Sequence, residues 1–241
     1  MMDFEKQLSN MRSLSRALMK TGISEKSSRK IAQWICEKAD KNTITESDVK
    51  CLEFVKAIIG EIDADSTATF TATTAILNGI DNIESTYNYL LSLGYLEEEV
   101  KTFFKKDSSA FGLKKGNLEE IYNYLLSLGI TSNEVKEIYL KAILLSPENV
   151  KNHCECVLSH YDKQLLLTLG KGFLFYGIYS DPLSAIETVY TELGPVVSRQ
   201  LLEQEPYFLY QYKLDIYQKD FTLPMPHGEA VEIIEKYKKF N

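Results

Sequence analysis

The eight-residue segment Tyr-Asn-Tyr-Leu-Leu-Ser-Leu-Gly occurs twice in this chain, at residues 87–94 and again 35 residues later at 122–129. The likeness extends beyond it, because residues 82–104 and 117–139 agree at 13 of 23 positions. Repeats of this length are typical of units that cannot bury an apolar face alone and therefore stack on their neighbours. The repeat predicts a stacked helical chain, whose usual role is to present a binding surface.

Each copy has the pattern of a helix that stops at a glycine. The apolar residues recur at helical spacing, as Tyr87, Leu90 and Leu91 do in the first copy. A glycine follows in both copies, and glycine enters the left-handed conformation of a helix end without a steric penalty. We therefore predict a helix ending at each glycine, and a second helix beginning near Glu97 and near Ser132.

Similar helix ends follow apolar runs along the rest of the chain, at intervals of 32–38 residues. They lie at Gly22, Gly60, Gly94, Gly129, Tyr161 and Gly194. The predicted fold class is an all-α helical-repeat superhelix, or α-solenoid, of about six units. We expect a single helical-repeat domain over 1–241, with divergent units at 1–81, clear repeats at 82–161, divergent units at 162–222, and a loop and capping helix at 223–241.

Two segments outside the clear repeats need separate interpretation. The Thr/Ala-rich stretch 67–75 alternates enough to suggest a strand, but its place between helical units favours a helix capped by Asp65 or Ser66. Residues 224–228 are predicted to form a loop, and residues 229–240 a final amphipathic helix. The apolar side of that helix would hold Val231, Ile234 and Tyr237.

Composition favours one globular repeat array. Of the 241 residues, 44 % are hydrophobic, which is enough for a continuous core. The apolar runs are far shorter than the roughly 18 residues of a membrane span, and the N-terminus lacks the apolar core of a signal peptide, so we expect a cytoplasmic protein without a membrane partner. Four cysteines do not make a disulfide framework, and Cys36 and Cys51 are expected in helix cores.

The residues that could carry catalysis or hold a cofactor form no recognisable pattern. Residues 170–172, Gly-Lys-Gly, lack the spacing of a phosphate loop and are predicted to separate two helices. The weak metal candidate is His153, Cys156 and His160, which fall at i, i+3 and i+7 on one helix face. Because one helix rarely surrounds a tetrahedral ion, ordinary packing is the preferred interpretation. We predict no enzyme, no cofactor and no metal.

Three sequence elements around the second copy carry a family resemblance. Residues 124–129 form a leucine-rich helix end with its glycine, Glu134 and Val135 open the next helix, and residues 147–150, Pro-Glu-Asn-Val, form a proline turn. This combination resembles the repeat of the mTERF family, the mitochondrial transcription termination factors. The resemblance is good over residues 82–161, and residues 205–209 are similar to the same proline turn.

The resemblance implies units of two α-helices and a short 3₁₀ turn, stacked into a curved superhelix. In the family, the groove of that superhelix binds double-stranded DNA or structured RNA. Two features of this chain depart from the family: residues 108–110 have no proline, and the net charge is −7 where family members that bind nucleic acid are usually basic. An acidic chain can bind phosphates only if its charge is segregated.

The charge is segregated along the chain. Residues 1–30 and 101–116 each carry +4, whereas residues 31–100 carry −9 and the remainder −6. The spacing i, i+4, i+8 places Arg12, Arg16 and Lys20 on one helix face. The predicted nucleic-acid-binding residues are Arg12, Arg16, Lys20, Lys101, Lys105, Lys106, Lys114 and Lys115. The alternative interpretation of these residues is a set of solvated helix faces, with Phe103, Phe104 and Phe111 in the core between them.

Two functions therefore stay open. The first is a nucleic-acid-binding repeat protein that contacts phosphates without necessarily reading sequence. The second is a repeat scaffold that grips a basic protein partner through the acidic stretch 31–100, with exposed tyrosines among the chain's 15 as anchors.

Overall fold

A computed structural model describes residues 4–39, 41–62, 66–175, 182–210 and 229–239. Every regular element in these ranges is a helix. The helices are α1 (Phe4–Lys20), α2 (Glu25–Lys38), α3 (Glu46–Ile59), α4 (Ser66–Asn78), α5 (Ile80–Ser92), α6 (Glu97–Lys106), the 3₁₀ helix Ser108–Gly112, α7 (Lys115–Ser127), α8 (Ser132–Ala142), α9 (Pro147–His160), α10 (Lys163–Lys171), α11 (Pro182–Gln204) and α12 (Glu229–Lys238).

The six predicted unit ends all follow the end of a helical stretch. The five glycines have positive φ angles: Gly22 (82°), Gly60 (86°), Gly94 (84°), Gly129 (73°) and Gly194 (71°). Tyr161 ends α9 in an extended conformation, with φ −137°. Gly194 interrupts α11, so that this helix is two segments joined at a kink before Pro195. Counted along the chain, the described helices thus make six successive pairs followed by α12, and the all-α helical-repeat fold is confirmed.

The second helix of each clear repeat begins where local capping favours it. α6 begins at Glu97 and α8 at Ser132, as predicted. The carboxylate of Glu134 accepts a hydrogen bond of 2.8 Å from the Thr131 backbone N–H, and the Thr131 hydroxyl oxygen accepts one from the Glu134 N–H. This reciprocal capping box satisfies amides that have no partner inside the helix. The cap of α8 is therefore Thr131, one residue before Ser132.

The chain packs into two compact units, each larger than one helical repeat. We call residues 1–115 the first unit and residues 116–241 the second unit. The single domain expected over 1–241 stays a prediction. In the first unit an aromatic cluster surrounds Phe104, which is fully buried. Its ring centroid lies 4.9 Å from that of Phe111 and 5.7 Å from those of Tyr87 and Phe103. Edge-on contacts of this kind add to the free energy gained from burial alone.

The second unit repeats that arrangement with one polar addition. Tyr139 occupies the repeat position of Phe104, is fully buried, and lies 5.6 Å from Tyr122 between ring centroids. Its hydroxyl donates a hydrogen bond of 2.6 Å to the Leu118 carbonyl. Nearby, Gly170 lets α10 approach α8 closely, since a Cβ there would lie 2.9 Å from the Ile138 Cγ2 atom.

The less regular segments give mixed outcomes. Residues 67–75 lie in α4 and are helical, as favoured, whereas the Asp65 cap and the loop 224–228 lie outside the described residues. The break expected at residues 170–172 falls at Gly172, because Gly170 and Lys171 continue α10. In α12, Ile234 and Tyr237 are buried but Val231 is 51 % exposed. The prediction for Val231 was wrong because the buried face runs through Ala230, at i, i+4 and i+7 spacing.

Candidate functional site

The 3₁₀ helix Ser108–Gly112 is held firmly against the first unit. Ala110 and Phe111 are buried, and α4 packs against this turn. The Asp107 carboxylate accepts a hydrogen bond of 2.9 Å from the Ser109 backbone N–H. The carbonyl of Leu113 accepts hydrogen bonds from the Asn82 side-chain amide, at 2.7 Å, and from a second residue of α5. The backbone from α6 to α7 is therefore fixed by packing and by side-chain hydrogen bonds.

Four of the predicted lysines stand on this fixed turn, which we call the lysine turn (residues 105–115). Lys105 and Lys106 end α6, Lys114 precedes α7, and Lys115 begins it; all four are exposed. Cations at the end of α6 favourably meet the negative end of its helix dipole. Cations at the start of α7 oppose its positive end, and no acid occupies that first turn. The helix dipole thus favours the first two lysines but not Lys114 and Lys115.

Lys101 does not belong with these four. Its ammonium lies 2.8 Å from the Glu97 carboxylate and 3.6 Å from that of Glu98, one turn earlier on α6. The hydrogen bond that Lys101 donates to the Glu97 carboxylate raises the pKa of Lys101, as expected for a paired cation. Its charge is therefore paired within its own helix, and its contact with phosphate stays a prediction.

The three predicted basic residues of α1 lie along one face, as their spacing indicates. Arg12, Arg16 and Lys20 are exposed and lie along one open side of α1 together with Ser9 and Ser13. Glu5 adds one acid to this side. The spacing argument is confirmed in geometry; whether these side chains contact phosphate stays a prediction.

The structure adds basic residues that the sequence reasoning missed. A second groove of about 640 Å³ lies between α1 and α2, where Arg12 and Arg16 meet Arg29 and Lys30 of α2. The acid that lines it, Glu25, is paired with Arg29. We call these four residues the arginine groove. The sequence does contain a signal, the basic run of residues 26–30. Its position beside the basic residues of α1 follows only from the packing of α2 against α1.

The predicted basic residues therefore form two groups in the first unit. α1 packs against α2, α2 against α4, and α4 against the 3₁₀ helix Ser108–Gly112. The arginine groove and the lysine turn thus lie at opposite ends of this row of packed elements. Between the lysines, Phe103, Phe104 and Phe111 are buried, so their interpretation as core residues is confirmed.

The weak metal candidate separates into two packing contacts. His153 stacks on Phe175 with ring centroids 6.3 Å apart, whereas His160 lies 4.0 Å from Tyr190 between ring centroids. The His160 Nε2 atom is also 2.9 Å from the Glu187 carboxylate. Over the parts of the chain that are described, no three His, Cys, Asp or Glu side chains come together as metal ligands.

The four free cysteines make a testable contrast in reactivity. Cys36, Cys51 and Cys154 are buried, and burial raises the pKa of Cys51 to about 11 and that of Cys154 to about 12. Cys156 is only partly buried. Because the thiolate is the reactive form, we expect Ellman's reagent at mildly alkaline pH to label one cysteine in the folded protein and four in denaturant. Cys156→Ser should abolish the fast reaction; fast labelling of two or more thiols would contradict this packing.

Comparisons with known proteins agree with the helical repeat. The described helices already define the class, an all-α repeat protein, and none of them is both long and apolar enough to cross a membrane. Residues 72–166 match the family model of mTERF. The resemblance to this family is therefore confirmed over that segment, which is less than half of the chain and contains the lysine turn but not α1. No match was found among curated proteins or solved structures.

Proposed function

We propose that this chain is a non-catalytic, cytoplasmic nucleic-acid-binding protein, and that its first unit contacts the phosphate backbone through lysine and arginine. The similarity of residues 72–166 to mTERF supports this class of ligand. The observation that carries the proposal is the lysine turn. Its four lysines are exposed, and they stand on a backbone fixed by the buried Phe111.

The positions of Lys114 and Lys115 are the most informative part of this turn. A cation at a helix N-terminus destabilises the helix by about 0.3–1 kcal/mol. The backbone amides there point outward, and together with two ammonium groups they favour a bound anion such as phosphate. Lys115 also lies 5.9 Å from the centre of the Tyr89 ring, which holds it close to α5.

Charge reversal at these two residues tests the proposal. We expect Lys114→Glu with Lys115→Glu to weaken binding of a labelled RNA hairpin or a DNA duplex by about tenfold or more at low salt, because two phosphate contacts are lost and repulsion is added. Fluorescence anisotropy measures the change. Circular dichroism should show an unchanged helix content, since both side chains are exposed.

A matched control distinguishes the loss of contacts at the lysine turn from the effect of a change in net charge. Lys50→Glu with Lys239→Glu makes the same change in total charge at two exposed positions outside the candidate site. If the control loses as much affinity as the lysine-turn variant, the effect is long-range charge and the proposed contacts are wrong. If wild-type protein binds neither probe at low salt, the function itself is wrong.

The alternative, a scaffold for a basic protein, has weaker support. The acids at the start of α6 have structural roles, since Glu97 and Glu98 pair with Lys101 and Glu99 accepts a hydrogen bond from the Leu96 N–H. Among the described tyrosines, only Tyr207 is exposed, so that part of the chain offers one candidate tyrosine anchor. We therefore favour nucleic acid.

A further inference from the structure

An exposed aromatic pair lies between the two basic groups of the first unit. Trp34 of α2 and Phe70 of α4 meet edge to face, with ring centroids 5.7 Å apart. Phe70 is 48 % exposed, and Trp34 is partly exposed. Such rings are ordinarily buried, because each would gain free energy by leaving water. The exposed Phe70 ring and the partly exposed Trp34 ring beside it offer flat apolar surface to another molecule.

The face of α4 that carries Phe70 is uncharged. α4 contains no Asp, Glu, Lys or Arg, although a quarter of the chain's residues are charged. Thr67, Phe70 and Leu77 are exposed along one side of it, and the Thr74 hydroxyl donates back to the Phe70 carbonyl at 3.1 Å. An uncharged helix face that is flanked by basic residues can bind a ligand in which flat, uncharged rings are linked to negatively charged groups.

Contacts connect this aromatic pair to both basic groups. On α2, Trp34 is one helical turn after Lys30, which lines the arginine groove, and one turn before Lys38; both lysines are exposed. On α4, Thr74 is one turn after Phe70, and a Cβ on Gly112 would lie 3.5 Å from its Cγ2 atom. Gly112 is two residues before Lys114 in the lysine turn. In the order in which these elements pack, the aromatic pair therefore lies between the arginine groove and the lysine turn, and we treat the three together as one candidate surface.

Three acids beside this surface have local partners. Glu25 pairs with Arg29, Glu37 accepts a hydrogen bond of 2.8 Å from the Gln33 side chain, and Asp107 caps the 3₁₀ helix Ser108–Gly112. The surface thus offers cations at both ends, with an exposed phenyl ring and a partly exposed indole ring in the middle, and Glu25 in its groove is paired with a cation. This alternation of cations and rings is the combination by which proteins bind single-stranded nucleic acid.

We propose that this surface binds a nucleic acid with unpaired bases, which stack on Phe70 and Trp34 while the phosphates contact the arginine groove and the lysine turn. The inference rests on the proposed function and narrows its ligand. In a duplex the faces of the bases are covered by their neighbours, so that a ring on the protein surface has nothing to stack on. Unpaired bases expose both faces, and stacking is tolerant of sequence.

The single tryptophan of the chain gives a direct readout at the site. We expect an unlabelled single strand of about 15 nucleotides to quench Trp34 fluorescence and to bind about tenfold more tightly than a duplex of the same sequence and length. Phe70→Ala should weaken single-strand binding about tenfold and leave duplex binding unchanged. The control is Val196→Ala, which removes a 76 % exposed side chain in the other unit and should change neither.

Each outcome decides between the two claims. Preferential, quenching single-strand binding that Phe70→Ala weakens supports the inference. Duplex binding as tight as single-strand binding, with no effect of Phe70→Ala, overturns the inference and leaves the proposed function intact. Binding of neither probe overturns both. Because Phe70 is exposed, its replacement should not unfold the protein, and an unchanged melting temperature of Phe70→Ala verifies this.

Discussion

Phe104→Ala should lower the free energy of unfolding by about 3–5 kcal/mol, enough to remove much of the stability of a small unit. Phe104 is fully buried, and it contacts the rings of Tyr87, Phe103 and Phe111. Truncation to alanine loses both the free energy gained by burying the phenyl ring and the contacts of that ring with its three neighbours. Urea unfolding followed by circular dichroism measures the change.

A control from the same unit makes this result specific. Leu96→Ala removes a side chain that is 69 % exposed, so its expected effect is within about 0.5 kcal/mol. Phe104→Ala should also weaken nucleic-acid binding, because Phe111, which anchors the lysine turn, loses its nearest ring. If the two variants unfold at the same urea concentration, Phe104 is not at the centre of a packed core and the repeat packing described above is wrong.

Gly129→Ala is the substitution with the second large expected effect. It tests the glycine with positive φ that follows the helix in both copies of the repeat. Gly129 ends α7 with φ 73°, and a Cβ there would have no atom within 4 Å. The expected loss of about 1–2 kcal/mol therefore comes from backbone conformation alone, since an L-residue strains in the left-handed region. Thermal and urea unfolding both report it.

Gly116 provides a control of opposite sign. It lies in α7 without a positive φ, and a Cβ there would also meet nothing within 4 Å. Gly116→Ala should be neutral or stabilise by up to about 1 kcal/mol, because alanine loses less backbone entropy in a helix. Destabilisation by both substitutions to the same extent would show that crowding, not conformation, selects glycine at residue 129.

The fold was predictable where local chemistry decides it. Helix ends at Gly94 and Gly129 follow from the conformational freedom of glycine, and helix starts at Glu97 and Ser132 follow from nearby acids. The 3₁₀ turn implied by the mTERF resemblance is present at Ser108–Gly112 without a proline, because Asp107 caps it and Phe111 anchors it.

The buried residues of the turns that connect one helix pair to the next were not predictable from the local sequence pattern. Phe111, Phe175 and Phe208 are buried in the turns that follow second helices, at a spacing of 64 and 33 residues, and Ile143 fills the intermediate turn. Such isolated apolar residues have no helical periodicity to mark them. Their burial depends on helices far away in sequence, which only the packed structure supplies.

The candidate site was predictable only in part, for the same reason. Sequence spacing correctly aligned Arg12 with Arg16, but it could not place Lys30 beside them or Phe70 against Trp34. It also did not show that Lys101 forms an ion pair with Glu97, since that pair depends on side-chain geometry. Net charge was a poor guide, because acids that cap helices or pair locally repel a ligand less than their count suggests.

The central claim is that the first unit binds nucleic acid through its cations, and the salt dependence of binding tests it most directly. For the wild-type protein and a labelled single strand, the logarithm of affinity should fall linearly with the logarithm of salt concentration, with a slope of about −0.7 for each phosphate contacted. The Lys114→Glu, Lys115→Glu variant should have a slope shallower by about 1.4. Affinity that is independent of salt, or an identical slope in both proteins, would contradict the account.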